Sequence, residues 1–187
     1  MGKDLAHVLC HAVYLAVLFL GSDDPPKPVP LEPTPIDVLF SPRGGITQRI
    51  VAEISCADKS VYVQACSFTS RPIAEALIKA KDRGVRIEVC ADDSNKNPDT
   101  SVCDELTAGL IPVYLDAKHA IAHSKVLIID EHLVISGSFN LTMAAERSNL
   151  ENCLFIQSKN LAKQYRENFA EHRKHSTILR RDDDLNE

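Results

Sequence analysis

Two hydrophobic patterns alternate along residues 36–176. Short runs of β-branched and other apolar residues are followed by longer stretches in which apolar residues recur every three or four positions. The first pattern is typical of strands and the second of amphipathic helices. Their alternation predicts an α/β domain with crossover helices between strands. The predicted strands are 36–40, 60–66, 85–91, 111–115, 125–130, 133–138 and 151–157, and the predicted helices are 45–57, 71–83, 100–108 and 161–174.

Local signals refine three of these elements. Only Glu131 and His132 separate the fifth and sixth strands, so the two are predicted to form a β-hairpin. Pro112 lacks a backbone N–H, which predicts that the fourth strand is short or lies at an edge. The residues after the last helix, 177–187, are mostly polar or charged and are predicted to be a charged tail.

The first 35 residues do not follow the domain pattern. Residues 5–20 are nearly all apolar but short for a membrane span, so 1–22 is predicted to be a signal peptide or a membrane anchor. Residues 23–35 contain six prolines and predict an extended linker. The protein is therefore expected to be exported, periplasmic or secreted, or else anchored by 5–20. It would contact a membrane only through this segment, if uncleaved.

Composition narrows the classes of function. The net charge of −5 argues against a broad basic surface that binds nucleic acid by neutralising phosphates, although a local basic patch suffices for an enzyme. The six cysteines form no C-x-x-C pair and no spacing typical of zinc ligands. Most are predicted to be buried, and neither a metal nor another cofactor is expected.

Polar residues of types that bind or attack phosphate lie at the open end of the predicted hairpin. His123 and Lys125 are two residues apart at the start of one strand, and Ser138 and Asn140 have the same spacing at the end of its partner. Pairing in register would bring together a nucleophile or base, a cation, a hydroxyl and an amide, a set that suits a phosphate. Gly137 is expected to let a ligand approach the backbone closely.

These residues complete a known signature. HSKVLIID at 123–130 and GSFN at 137–140 match H-x-K-x(4)-D-x(6)-G-S-x-N of the phospholipase D superfamily. The sequence resembles the small bacterial endonucleases of that superfamily, which carry one such motif per chain. The resemblance covers nearly all of 36–174 and implies a mixed β-sheet flanked by helices on both faces.

The resemblance also implies a role for each site residue. His123 matches the nucleophile that forms a phosphohistidine, and Lys125 and Asn140 match the ligands of the phosphate. Ser138 is expected to be an auxiliary ligand. Glu151 matches the carboxylate that hydrogen-bonds the nucleophilic imidazole.

Two further consequences follow from the signature. Asp130 belongs to it but follows an apolar strand at the hairpin turn, so it is interpreted as structural, as is Gly137. The reaction needs a nucleophile and a separate acid, but one motif supplies one histidine. A homodimer that shares one site between two His123 side chains is therefore expected, with no metal required.

Residues outside the signature are interpreted more cautiously in the sequence, and several of them have two interpretations. His119 is expected to lie in a loop near the site and not to form a metal pair with His123. His172 and His175, with Arg173 and Lys174, are interpreted as a solvated helix end. Phe68 either stacks a base or packs in the core. Asp92 and Asp93 are metal ligands or loop caps, and Arg71, Lys96 and Lys118 are a phosphate track or ordinary surface charges.

The leading functional hypothesis is an exported, dimeric, non-specific endonuclease that cleaves DNA, and RNA as a further substrate, without a metal. The first alternative is a phospholipase D acting on phosphatidylcholine-type lipids, since the same chemistry serves both substrates. The second is an inactive phosphate-binding relative, which the intact His123, Lys125, Asn140 and Glu151 disfavour.

Overall fold

A computed structural model describes residues 34–180. The predicted segment 1–22, nearly all of the linker 23–35 and the end of the tail, 181–187, lie outside the described residues. Within the described residues, no helix has both the length and the apolar character needed to cross a membrane.

The secondary structure follows the predicted order. The strands are β1 Ile36–Ser41, β2 Ser60–Ala65, β3 Arg86–Asp92, β4 Val113–Asp116, β5 Lys125–Ile129, β6 Leu133–Gly137, β7 Glu151–Gln157 and β8 Thr177–Ile178. The helices are α1 Ile46–Ser55, α2 Arg71–Asp82, α3 Cys103–Ala108, α4 Met143–Arg147 and α5 Lys159–His175, with a 3-10 turn at Asp93–Lys96. The short elements α4 and β8 were not predicted, because too few residues form them to give a periodic pattern.

The strands form one mixed sheet in the order β1-β7-β6-β5-β2-β3-β4-β8. Only β3 pairs with its neighbours in parallel, on one side with β2 and on the other with β4. Helices α1, α2 and α3 bury residues such as Ile50, Leu77 and Leu106 on one face. On the other face, Phe169 of α5 packs against Tyr62. The predicted fold class, a mixed sheet with helices on both faces, is confirmed, and so is the β5–β6 hairpin.

The folded chain continues past residue 176. Thr177 and Ile178 pair with β4, and the N–H of Leu179 donates to the carbonyl of Val113 at 2.8 Å. The first residues of the predicted tail therefore extend the sheet, since β4 would otherwise present an unpaired edge. As Pro112 predicted, β4 is short, with four residues.

The strand register brings the functional residues to one end of the sheet. Lys125 lies opposite Ala65, the last residue of β2, and Ser41 lies opposite Glu151. The ends of β3 and β4 meet there too, with Asp92 paired to Asp116. The strand ends that carry these five polar side chains thus lie at the same end of the sheet, where ligand sites of α/β folds are usually found.

The described cysteines are free thiols, and three of the five are buried. Burial raises the pKa of Cys103 to about 11 and that of Cys153 to about 12. These thiols therefore stay protonated near neutral pH and behave as small core side chains.

Candidate active site

The candidate nucleophile lies just before β5 on an exposed segment. His123 is exposed, and its imidazole has no hydrogen-bond partner among residues 34–180. Lys125 opens β5, and its Nζ donates to the backbone carbonyl of His123 at 2.8 Å. The cation and the histidine therefore form one local unit, with the ring free to meet a substrate.

Asp92 fixes the backbone next to this unit. Its carboxylate accepts the N–H of Ala122 at 2.7 Å and both the N–H and the hydroxyl of Ser94, at 3.1 and 2.6 Å. Burial opposes ionisation, but these hydrogen bonds prevail and hold the pKa of Asp92 below its usual value. Of the two interpretations, loop hydrogen bonding is the one the contacts support. Asp93 pairs with Lys96 at 2.7 Å.

A second group of site residues lies at the ends of β6 and β7. The hydroxyl of Ser138 donates to Glu151 Oε2 at 2.5 Å, and the amide of Asn149 donates to Glu151 Oε1 at 3.0 Å. The expected hydrogen bond between Glu151 and His123 is not formed within residues 34–180 of a single chain. Both carboxylate oxygens are instead held by neighbours on the β6–β7 side of the site.

The hairpin register differs in detail from the expected arrangement. Val126 pairs with Ser136, so Lys125 lies across from Gly137, and Ser138 and Asn140 follow after β6 has ended. The two groups therefore share one sheet end, but no side-chain hydrogen bond or ion pair joins them among the described residues.

Gly137 is required for a different reason from the one expected. A Cβ at this position would lie 2.3 Å from the carbonyl oxygen of Asn152, because β6 and β7 approach closely there. The N–H of Ser138 donates to that same carbonyl at 3.1 Å. Glycine thus permits the strand contact that positions Ser138, and no ligand is needed to explain it.

The backbone that follows Asn140 is held by the segment 68–70. The next residue, Leu141, accepts the N–H groups of Thr69 and Ser70, each at 2.9 Å, and Phe68 forms a β-bridge to it. Phe68 is fully buried, so it packs in the core and does not present its ring to a base. The side-chain oxygen of Asn140 is buried without a hydrogen-bond partner among residues 34–180. Unsatisfied buried groups of this kind are costly and concentrate at functional sites.

Two positioning residues were missed by sequence reasoning. Asn95 is buried; it accepts the N–H of Phe68 at 3.0 Å and donates to the carbonyls of Cys66 and Asp92. Glu146, also buried, accepts the N–H groups of Gly45 and Thr47 at the start of α1. Each binds backbone groups distant in sequence, which leaves no local pattern.

Residues 50–173 match a family model described as "Cardiolipin synthase, PLD-like domain". The chain belongs to the phospholipase D superfamily. Its domain is accordingly a hydrolase domain of the phosphodiesterase type, built around the signature that holds His123, Lys125 and Asn140.

Members of the superfamily match over most of the domain. "Phospholipase D" of Rickettsia typhi is 40% identical over 134 residues, which cover 72% of this chain and 66% of the relative, just under two thirds of its length. Nuc of Salmonella typhimurium, a phospholipase D family member, superposes with a TM-score of 0.75 at 31% identity and covers 79% of this chain and 99% of its own. NucT of Helicobacter pylori gives 0.73 at 24%, covering 78% and 99%. These structures confirm the fold.

The superfamily aspartate, Asp130, binds backbone groups and lies at the far end of the hairpin. Its carboxylate accepts the N–H groups of Asp58, Lys59 and Ser60 at 3.0, 2.7 and 2.9 Å. It thereby ties the β5–β6 turn to the entrance of β2. Burial raises the pKa of Asp130, but these three hydrogen bonds outweigh it and the net direction is downward.

We expect Asp130→Asn to lower the free energy of unfolding by about 1–3 kcal/mol near neutral pH, because an amide oxygen replaces a charged acceptor of several N–H groups. A depressed folded-state pKa contributes stability above the unfolded value that is lost as pH falls through the folded one. The difference from wild type should therefore shrink below about pH 4. Urea denaturation of both proteins near neutral pH and below about pH 4 measures this difference. Asp82→Asn, at an exposed carboxylate, is the matched control, and a pH-independent difference would contradict the account.

The two histidines of the helix end are only partly exposed and are engaged by a carboxylate, contrary to expectation, whereas Lys174 is exposed as expected. His172 and His175 of α5 and His119 of the β4–β5 loop surround the buried carboxylate of Asp116. Burial raises the pKa of Asp116, but hydrogen bonds from the three imidazoles prevail and keep it well below its usual range. Arg173 is likewise engaged, at 2.7 Å from the buried Glu88. Four residues from three elements assemble here, so no local sequence pattern revealed the cluster.

The three candidate cations of a phosphate track differ in their contacts. Lys96 is paired with Asp93, as described, and Arg71 lies 3.3 Å from Glu105. Lys118 is exposed, and its side chain forms no ion pair within the described part of the chain. Only Lys118 therefore keeps an uncompensated charge, and it lies on the loop that leads to His123.

Proposed function

We propose that this protein is a metal-independent endonuclease that cleaves DNA, and also RNA, without sequence specificity. The observation that carries the proposal is that Lys125, Ser138 and Asn140 lie at one sheet end, with an exposed His123 imidazole beside the Lys125 cation. The sequence resemblance to single-motif bacterial endonucleases supports nucleic acid as the substrate.

The chemistry proceeds in two displacements. A nitrogen of a neutral His123 attacks phosphorus, the bond from phosphorus to the leaving oxygen breaks, and a second imidazolium gives that oxygen its proton. Water then attacks the phosphohistidine, its proton passes to the second imidazole, and the phosphorus–nitrogen bond breaks. Lys125 and Asn140 hold the non-bridging oxygens, where negative charge must be stabilised in both steps.

The second imidazole is proposed to come from another copy of the chain. Among residues 34–180, His119, His172 and His175 are engaged by Asp116, and His132 lies in the β5–β6 turn at the opposite end of the sheet. His123 is thus the one histidine of the described chain that presents a free ring at the site. A two-fold dimer that apposes two sites supplies the acid.

Exposed apolar side chains near the site support this dimer. Leu150, beside Glu151, is 87% exposed, and Ile121, two residues before His123, is 61% exposed. Phe40, opposite Asn152 in the β1–β7 pair, is 60% exposed. Apolar groups clustered around a polar site are typical of the core of an interface.

Leu150→Asp is therefore expected to weaken dimerisation by about 2 kcal/mol or more, because it buries a charge in the proposed interface. Nuclease activity should fall in parallel with the dimer fraction. Sedimentation equilibrium and plasmid nicking at matched concentrations measure both quantities. Leu110→Asp, at a residue 73% exposed between α3 and β4, is the control and should change neither. A monomer with full activity would contradict the shared site.

The same exposed apolar side chains favour a second candidate, a phospholipase D acting on phosphatidylcholine-type lipids. The name of the Rickettsia relatives points the same way. Export, and a membrane anchor at residues 5–20, stay predictions from the sequence and would suit either substrate.

One substrate panel separates the two candidates. Purified protein is tested on single-stranded DNA, duplex DNA, RNA and phosphatidylcholine vesicles, each with and without added magnesium, with His123→Ala as the blank. We expect hydrolysis of the nucleic acids to exceed that of the lipid, and magnesium to be unnecessary. Turnover of vesicles without cleavage of nucleic acid would favour the lipase. A strict magnesium requirement would exclude the proposed mechanism.

A further inference from the structure

The cluster around Asp116 has the composition and the geometry of a metal site. Asp116 lies at the end of β4, and its side chain is 1% exposed. Its Oδ2 lies 3.0 Å from His119 Nδ1, 3.2 Å from His172 Nδ1 and 3.2 Å from His175 Nε2. We propose that Asp116, His119, His172 and His175 bind one divalent ion of the zinc type.

The distances suit tetrahedral coordination. With zinc–ligand bonds of 2.0–2.1 Å, neighbouring ligand atoms in a tetrahedron lie roughly 3.3 Å apart. The three nitrogen–oxygen distances approach this value, and the four ligand atoms all lie within 4.8 Å of one another. The ring centroids are 5.0, 5.2 and 5.4 Å apart with the rings tilted by 55–76°, so the imidazoles do not stack in parallel.

The Asp116 carboxylate is oriented so that one of its oxygens, Oδ2, faces the three histidines. Its other oxygen, Oδ1, accepts the N–H groups of Lys118 and His119 at 3.0 and 3.4 Å. Backbone donors thus fix the carboxylate while Oδ2 faces three imidazole nitrogens. Support of this kind, in which a second shell fixes a ligand, is typical of metal sites.

The charge of the buried Asp116 carboxylate also favours a bound cation. Within residues 34–180, no lysine or arginine lies within ion-pair distance of Asp116, and its ionic contacts are to the histidines alone. A buried carboxylate without a cation is strongly disfavoured. Neutral imidazoles do not balance its charge, whereas a divalent ion does, and imidazole is a preferred ligand of zinc.

The ion would position the catalytic loop and take no part in phosphoryl transfer. The four ligands join β4, the 117–124 loop and the end of α5. His119 precedes His123 by four residues, and a cleft of about 150 Å³ is lined by both of them together with Asp116 and His172. Binding the metal would therefore fix the loop that presents the nucleophile. The inference does not depend on which substrate is cleaved.

Metal content and stability test the site without reference to activity. Untagged protein is dialysed against zinc and then metal-free buffer, and its metal is measured by mass spectrometry. We expect one equivalent per chain in wild type and in His132→Ala, a control at the exposed turn histidine. The double variant His172→Ala/His175→Ala should lose it. Cobalt in place of zinc should give the intense visible absorption of a tetrahedral site in wild type and in His132→Ala, but not in the double variant.

Chelation supplies the second readout. Removing the metal should lower the Tm of wild type and leave that of the double variant unchanged, and zinc should restore the wild-type value. Should the double variant fail to fold, His119→Ala, at a half-exposed loop position, replaces it. Wild type that binds no more zinc than the variant, with a Tm insensitive to chelation, would overturn the proposal. The cluster would then be a set of histidines that share protons with Asp116.

Discussion

His123→Ala is expected to abolish turnover, with kcat falling by at least about 10⁴-fold. In the proposed mechanism the imidazole forms the covalent bond to phosphorus in one subunit and protonates the leaving group in the other. Alanine removes both functions at once, so no partial pathway through the other subunit is left in the homodimer. Initial rates on a labelled oligonucleotide measure the loss.

The fold should survive this change. His123 is exposed, and its ring makes no hydrogen bond within residues 34–180, so the Tm is expected to stay within error of wild type. His132→Ala removes another exposed imidazole, from the β5–β6 turn, and should keep full activity. Substantial activity in His123→Ala would move the nucleophile to another residue.

Asn140→Ala is expected to lower kcat by about 10²–10³-fold, the loss that follows removal of one donor to a developing oxyanion. Its effect on stability should be unusual for a partly buried polar residue. Because the side-chain oxygen is buried without a partner, truncation removes an unsatisfied group, and the Tm should be unchanged or higher.

The combination of lost activity and retained stability identifies a functional amide. Asn160→Ala, at an exposed position in the first turn of α5, is the control and should change neither quantity. If Asn140→Ala lowered the Tm by several degrees and kcat only in proportion to the unfolded fraction, Asn140 would be a structural residue. The phosphate would then be held by Lys125 and Ser138.

The elements that the sequence predicts well are those with strong local periodicity. The hairpin of β5 and β6 combines two apolar runs with a short polar connection, and its register brings Lys125 and Gly137 to one end. The signature marks this end because its residues are close in sequence. The predicted register was off in detail, because β5 ends at Ile129 and Asp130 belongs to the turn. The hydrogen bond of Ser138 to Glu151 was not predicted, because it depends on β7, which lies elsewhere in the chain.

The parts that sequence reasoning missed depend on long-range contacts. Asp116 and His175 are far apart in the chain and meet only because α5 crosses back over β4. A weak signal existed in the i,i+3 spacing of His172 and His175, which places both on one helix face. Asn95 and Glu146 bind backbone groups, and a backbone partner has no sequence signature.

The candidate active site and the Asp116 cluster share one loop. Asp92 holds Ala122 from one side, and the Asp116 cluster holds His119 from the other, so both ends of the segment before His123 are fixed. A nucleophile that must meet phosphorus within a few tenths of an ångström needs such support. An exposed His123 ring on a backbone segment fixed by hydrogen bonds is the arrangement that a preorganised nucleophile requires.

The central claim is that His123 forms a covalent bond to phosphorus, and direct detection of the intermediate tests it best. Protein is mixed with a phosphodiester substrate, quenched under basic conditions within the first turnovers, digested and analysed by mass spectrometry. We predict a phosphate-linked adduct on the peptide that contains His123, formed and lost at rates consistent with turnover and absent in His123→Ala. Steady turnover with no adduct at His123, or an adduct at another residue, would contradict the account.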